Sequence, residues 1–265
     1  MADPEHVALV QQGATAIAAW RDAHPGERLH LAQADLAGAN LRGANLHGAR
    51  LYAAILDGTD LVGANLQQAD LRAASLVEAN LTGARLQHAS LVRANLTRAR
   101  LPWARLPRAH LHGAHLHEAH LQEANLQRAY LVGTDLGGAD LRGAYLERAD
   151  LQWANLQETI LRGARLQEAN LLESVVGSTI FGHTHLHGAR GLATCRHQAP
   201  APSMWGRALA QGASRRIFSA AAAGRTHGSP AWQGTSRSRP CLRVLSAHSP
   251  SRPPISRGGC FCWPP

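Results

Sequence analysis

The chain has 265 residues, 45% of them hydrophobic, yet only 5% are aromatic and lysine is absent. Leu and Ala supply most of the apolar content, which excludes the varied packing of an ordinary globular interior and indicates a repeat. The formal charge of +9 belongs to one end: residues 1–198 hold 18 Arg against 18 acids, and residues 199–265 hold nine Arg and no acid, so the body of the chain carries no net charge for binding nucleic acid.

Taken in chain order, the first residues, Met1 to His6, lack the positive and apolar regions of a signal peptide. No run approaches the ~18 apolar residues of a membrane span, and a cytoplasmic location is expected. Residues 4 to 22 are predicted to form one helix. Asp3 is its N-cap and Pro4 its first helical residue; Val7, Val10, Ala14, Ile17 and Trp20 supply an apolar face, and Pro25-Gly26 ends it. Residues 1–28 are read as a cap and lead-in that cover the open core and edge of the repeats beginning at residue 29.

From Leu31 to Leu171 a Leu stands at every fifth position, twenty-nine times, continued in register by Val176, Phe181 and Leu186. Two positions before most of them is Ala, replaced at places by Thr59, Thr134, Ser174 and Thr184. A period of five fits neither regular element. On a helix, successive Leu would step by about 140° around the axis, and on a flat strand alternate Leu would point to opposite faces. The chain must therefore bend once per unit, with Leu and Ala inward and three positions outward. Gly recurs two positions after the Leu, from Gly38 to Gly188, where a type II turn needs positive φ. Pro102 and Pro107 fall one position earlier, where a fixed φ is favoured. Asn or Asp before the Leu, as in Asp35, Asn40 and Asn45, can bond nearby backbone.

Ala34 to Gly38, Ala39 to Gly43 and Ala44 to Gly48 read A-(N/D)-L-x-G, and this unit resembles the motif of the pentapeptide-repeat family. The resemblance implies an all-β solenoid, a right-handed quadrilateral β-helix with one unit per side and four per coil. About thirty-two units would make about eight coils, a rod of roughly 38 Å at the strand spacing of ~4.8 Å. The predicted repeat domain is residues 29–192. Stacked arrays of this kind depend on their neighbours and caps.

Beyond Leu192 the register fails, and residues 193–265, rich in Arg, Pro and Ser, read as a disordered tail. The tail's composition also matches out-of-frame translation of GC-rich DNA. Cys195, Cys241, Cys260 and Cys262 all lie outside the repeats and form neither a disulfide framework nor a paired zinc spacing.

One stretch of the repeats departs from a mixed surface. Arg93, Arg98, Arg100, Arg105 and Arg108 lead into His110, His112, His115, His117 and His120, with Trp103 among them and Glu118 and Glu123 opposing. In the implied geometry all point outward, and Arg108, Arg128 and Arg148 stack on one corner. Arg100, Trp103, Arg105, Arg108, the five His and Arg128 are thus the candidate interaction patch, a basic band for an acidic protein partner that strengthens as His protonates near pH 6. Against it stands the plain alternative that these positions need only be solvated. The pairs His110/His112 and His115/His117 could each offer two ligands to a metal, but no third ligand or Cys converges on them.

Ser75, Ser90 and the Asp residues occupy repeat positions, and a convex rod encloses no pocket. The reading is therefore a non-enzymatic interaction scaffold without cofactor or small-molecule substrate. Two alternatives stand beside it. The resemblance implies a DNA-mimic protector of a topoisomerase, although mimicry needs a strongly negative rod and drug-protecting members often carry Phe where Leu stands here. The basic tail, in turn, could bind nucleic acid.

Overall fold

In the computed structural model, residues 2–197 are described. The readings of disorder, frame, Cys241, Cys260, Cys262 and nucleic-acid binding made for the tail lie outside them.

The bend once per unit is present at every unit. Each fifth residue from Gln33 to Gly188 has φ between +53° and +71°, at twenty non-glycine and twelve glycine positions. The N–H of the residue after each bend typically donates to the Leu carbonyl three positions back, as Ala34 to Leu31 at 3.1 Å, which with a positive φ at the third position is a type II turn. Glycine favours that corner but does not define it. Gln33, Trp103, Arg108 and Glu118 adopt the same backbone, so tertiary stacking overrides local preference.

Between turns the chain pairs in parallel with itself twenty residues on, from His30 with Arg50 to Asn170 with Arg190. Four units therefore close one coil, and the four sides are numbered here in chain order, side one carrying Leu31 and each twentieth residue after it. Each unit sends three N–H groups to the adjoining coils, as Leu51 to Asp70 at 2.7 Å, Ala53 to Arg72 at 2.9 Å and Asp70 to Ala49 at 2.9 Å. A fourth closes the turn. The fifth, on the residue after Leu, is met wherever the unit carries Asn or Asp. All fourteen such residues before a central Leu accept that N–H on the side-chain oxygen, Asp35 from Ala37 at 3.1 Å being typical. Arg100 and Arg105 offer no such acceptor, and the residues they would have served are Pro102 and Pro107, which have no N–H to satisfy.

The interior is two nested columns per side. The Leu residues from Leu31 to Leu171 are at most 2% exposed, and the Ala residues two positions before a central Leu, from Ala44 to Ala169, at most 1%. Where Thr replaces Ala, its hydroxyl donates to the Leu carbonyl 23 residues earlier: Thr59 to Leu36 at 3.0 Å, Thr134 to Leu111 at 2.8 Å, Thr159 to Leu136 at 2.7 Å. A buried hydroxyl is thereby satisfied without disturbing the turn.

The N-terminal residues form two helices instead of the single one predicted over 4–22: α1 (Pro4–Gln11) and α2 (Ala14–Ala23). Asp3 caps α1 as expected, its carboxylate accepting from the Glu5 N–H at 2.9 Å. The break falls at Gly13, whose φ of +90° leaves the helical region; a Cβ there would lie 3.5 Å from the Asn40 carbonyl, so the kink brings backbone close to the first coil. Val10 and Ile17 are buried on that coil. Arg21 serves its carbonyls: it donates to Asn45 O at 3.2 Å, His47 O at 2.8 Å and Glu27 O at 2.5 Å. In later coils the equivalent carbonyls accept N–H groups from the preceding coil. Arg21 stands in for the coil that is not there, and burial lowers its pKa.

At the far end the twenty-residue register slips by one. Short strands β1 (Val175–Val176) and β2 (Arg196–His197) pair Val175 with Arg196, after a 3-10 turn at Leu192–Thr194. Gly191 opens that turn with φ +81°, and a Cβ there would collide with the Leu172 backbone nitrogen. Only glycine fits.

Candidate docking surface

The turn geometry sets which outward residues meet. A residue's neighbours along the rod lie twenty positions away, whereas residues five apart point to different sides. The predicted band is accordingly a girdle. Arg100, Trp103 and His120 belong to side three, Arg105, Arg108 and Arg128 to side four, His110 and His112 to side one, and His115 and His117 to side two. Arg100 and His120 are bridge partners, and Arg108, Arg128 and Arg148 do share one corner column as expected, but no single flat face presents all ten.

The individual members also differ in what they touch. His110 and His112 stack with Tyr130, ring centroids 4.8 and 5.7 Å away. Burial first, then the neighbouring His112 and His88, lower the His110 pKa. His117 lies 3.5 Å from Glu118, and Trp103, 59% exposed, donates its indole N–H to Glu123 at 3.1 Å. Among the described residues no three potential metal ligands converge. Arg98 is held by Glu118 at 2.8 Å, which lowers the Glu118 pKa through that hydrogen bond.

Side four is different. At its corner Arg148 is bound by both carboxylate oxygens of Glu168, at 2.7 and 3.2 Å. Arg108 and Arg128, two coils and one coil earlier, are exposed and make no ion pair among the described residues. With Pro107, Gln127 and Glu147 they line an open groove of about 500 Å³. Gln127 donates to Glu147 at 3.2 Å, while the Gln167 side-chain oxygen at the far end of the groove has no partner. Counting outward charges on this side gives six Arg (85, 105, 108, 128, 148 and 165) against Glu147 and Glu168.

Side two, directly opposite, holds the reverse. Asp35, Asp57, Glu78, Glu118, Asp135 and Glu158 face it with Arg98 as the single opposing charge. The neutral body is thus the sum of a basic and an acidic side. This segregation is invisible in a linear reading, which groups Arg93 to His120 as neighbours; sorting the charges by position in a twenty-residue cycle would have found it.

A family profile described as pentapeptide repeats matches in eight copies, together spanning residues 30–188. The chain belongs to the pentapeptide-repeat family. Among solved structures, HetL from the cyanobacterium Nostoc sp. strain PCC 7120, a pentapeptide repeat protein involved in heterocyst differentiation regulation, is 31% identical over 64% of this chain and 84% of its own, with a TM-score of 0.27. Trypsin-treated QnrB1, a plasmid-mediated fluoroquinolone resistance protein, is 16% identical over 70% of this chain and 92% of its own, with a TM-score of 0.51, a likeness of fold alone. Rfr23 from the cyanobacterium Cyanothece 51142 is 32% identical over 39% of this chain and 64% of its own, with a TM-score of 0.25. No curated protein matches. The family and the likeness of fold to QnrB1 make the solenoid a right-handed quadrilateral β-helix, and among the described residues no helix is long and apolar enough to cross a membrane.

Proposed function

We propose that this pentapeptide-repeat protein is a non-catalytic interaction scaffold of the cytoplasm, about eight coils long, that docks an acidic surface of a protein partner on its basic side. One observation carries the reading: Arg108 and Arg128 stand in one corner column with no carboxylate of the described chain paired to them, while Arg148 in the same column and Arg98 on the opposite side are each neutralised by a Glu one coil on. Two stacked guanidiniums with open donors suit carboxylates, and the rigid ladder beneath them fixes their spacing without loss of backbone freedom on binding.

The test is affinity capture with the full-length chain and with an Arg108→Glu/Arg128→Glu variant. Both positions share the backbone that Glu118 and Glu168 adopt at φ +55° and +58°, so the charge reversal is compatible with the fold. A protein retained by the wild type and lost by the variant is expected; capture of the same proteins by both would contradict the docking surface.

The acidic second side favours a second reading, the DNA mimic. Over a rod of ~38 Å a duplex presents about 22 charges, at one per ~1.7 Å. Six acids against one Arg fall far short of that density. A gyrase supercoiling assay with added drug decides it: protection by the wild-type chain would restore this reading.

A further inference from the structure

Opposite charge on opposite sides of one rod has a geometric corollary. If a second copy is placed alongside in the same direction, the acidic side two of one meets the basic side four of the other, coil against equivalent coil. Residues whose central Leu differ by ten stand on opposite sides, half a coil apart along the rod. Because the chain runs in opposite directions along those two sides, a turn residue of one meets the residue before the Leu of the other, and three acid and base positions match in this way: Glu78 with Arg85, Asp135 with Arg148, and Glu158 with Arg165. None of the three is a pair within one chain, although Arg148 is also bound by Glu168 of its own column.

We infer that the basic side accepts the acidic side of a second copy of this chain, so that rods associate side by side and in parallel. This deepens the docking reading above, on which it rests, by naming the partner. The interface is head-to-tail in the sense that two different surfaces meet, and nothing in a translation closes it, so association continues from copy to copy. Each contact is an exposed ion pair and weak by itself; three in register on rigid ladders act together and dissolve with salt. The opposed excess charge of the two sides also explains why a chain whose repeats are close to neutral keeps so many charges.

Sedimentation velocity of the full-length protein at low and high salt tests this with two charge-reversed variants, Arg85→Glu/Arg165→Glu and Glu78→Arg/Glu158→Arg. The substituted Glu fall at the turn position with positive φ that Arg98 and Arg128 already occupy, the substituted Arg at the outward position before the Leu where Asp70 and Asp135 stand in other units, and a thermal melt of each variant checks that the rod is intact. Wild type is expected to form species larger than a monomer at low salt that revert to monomer at high salt. Each variant alone, with one reversed side, is expected to stay monomeric; an equimolar mixture restores both contacts, one of them with its signs exchanged, and is expected to assemble again. Wild type that is monomeric at low salt, a variant that still assembles alone, or a mixture that stays monomeric overturns the inference. The two readings fail separately: a monomeric wild type whose captured protein is lost on Arg108→Glu/Arg128→Glu removes self-pairing and leaves docking, whereas self-pairing with unchanged capture by the variant does the reverse.

Discussion

The inward and outward columns of the rod obey different rules. Inward, Leu and Ala repeat with few exceptions, and each exception that is polar, such as Thr59, Thr134 or Thr159, brings its own hydrogen bond. Outward, one corner column runs through His88, Arg108, Arg128, Arg148 and Glu168 on a nearly constant backbone, φ +56° to +59°. The difference teaches that stability is written in the inward columns while the proposed docking draws only on outward corners, so the two can be altered independently.

The largest break in that division is an inward truncation. Leu106→Ala, fully buried between coils, is expected to cost about 2–5 kcal/mol, read as a lowered denaturation midpoint; a change below ~1 kcal/mol would mean that neighbouring coils collapse into the space. Next comes the cap. Arg21→Ala strips donors from Asn45 O and His47 O at the first coil and is expected to cost about 1.5–3 kcal/mol, the range for charged hydrogen bonds, with increased edge-to-edge aggregation detectable by light scattering. Smaller still is Thr134→Val. The Leu111 carbonyl keeps the turn bond from the Ala114 N–H at 3.0 Å, so about 0.5–1.5 kcal/mol is expected, measured by chemical denaturation.

The smallest effect is one of pH. The His110 pKa in the fold lies below its ordinary value, through burial and then the adjacent His112 and His88, so the unfolded chain binds the proton more readily. Stability from this group is complete above about pH 6.5 and is lost as pH falls through the lower folded value. A His110→Gln variant should show a shallower loss of midpoint between pH 7.5 and 5.5 than wild type, and an identical slope would refute the assignment.

Much of the fold was legible because the five-residue period excludes both regular elements and glycine, proline and Asx mark the turn. The number of sides was not in the spacing; it came with the resemblance, and the pairing of His30 with Arg50 shows it directly. The cap was half legible. Pro4 and Asp3 announced a helix, but an apolar pattern that runs through Gly13 conceals a backbone break there at a φ of +90°. The candidate surface was least legible, since Arg100, His110 and His115 are neighbours in sequence and occupy three different sides, while Arg108 and Arg128 are twenty residues apart and share a corner. Charge patterning had to be read modulo a period that only the coil supplies. Gly191 carried no signal of its role, because the register slip it permits depends on the Leu172 backbone passing through the space a Cβ would need.

The central claim is that corners carry recognition and columns carry stability, and Arg108→Glu/Arg128→Glu tests both halves in one preparation. Its thermal midpoint is expected to stay within about 2–4 °C of wild type, equivalent to ~1 kcal/mol or less for a body of this size, while partner capture disappears. A collapsed midpoint, or undiminished capture at an unchanged midpoint, would contradict the account.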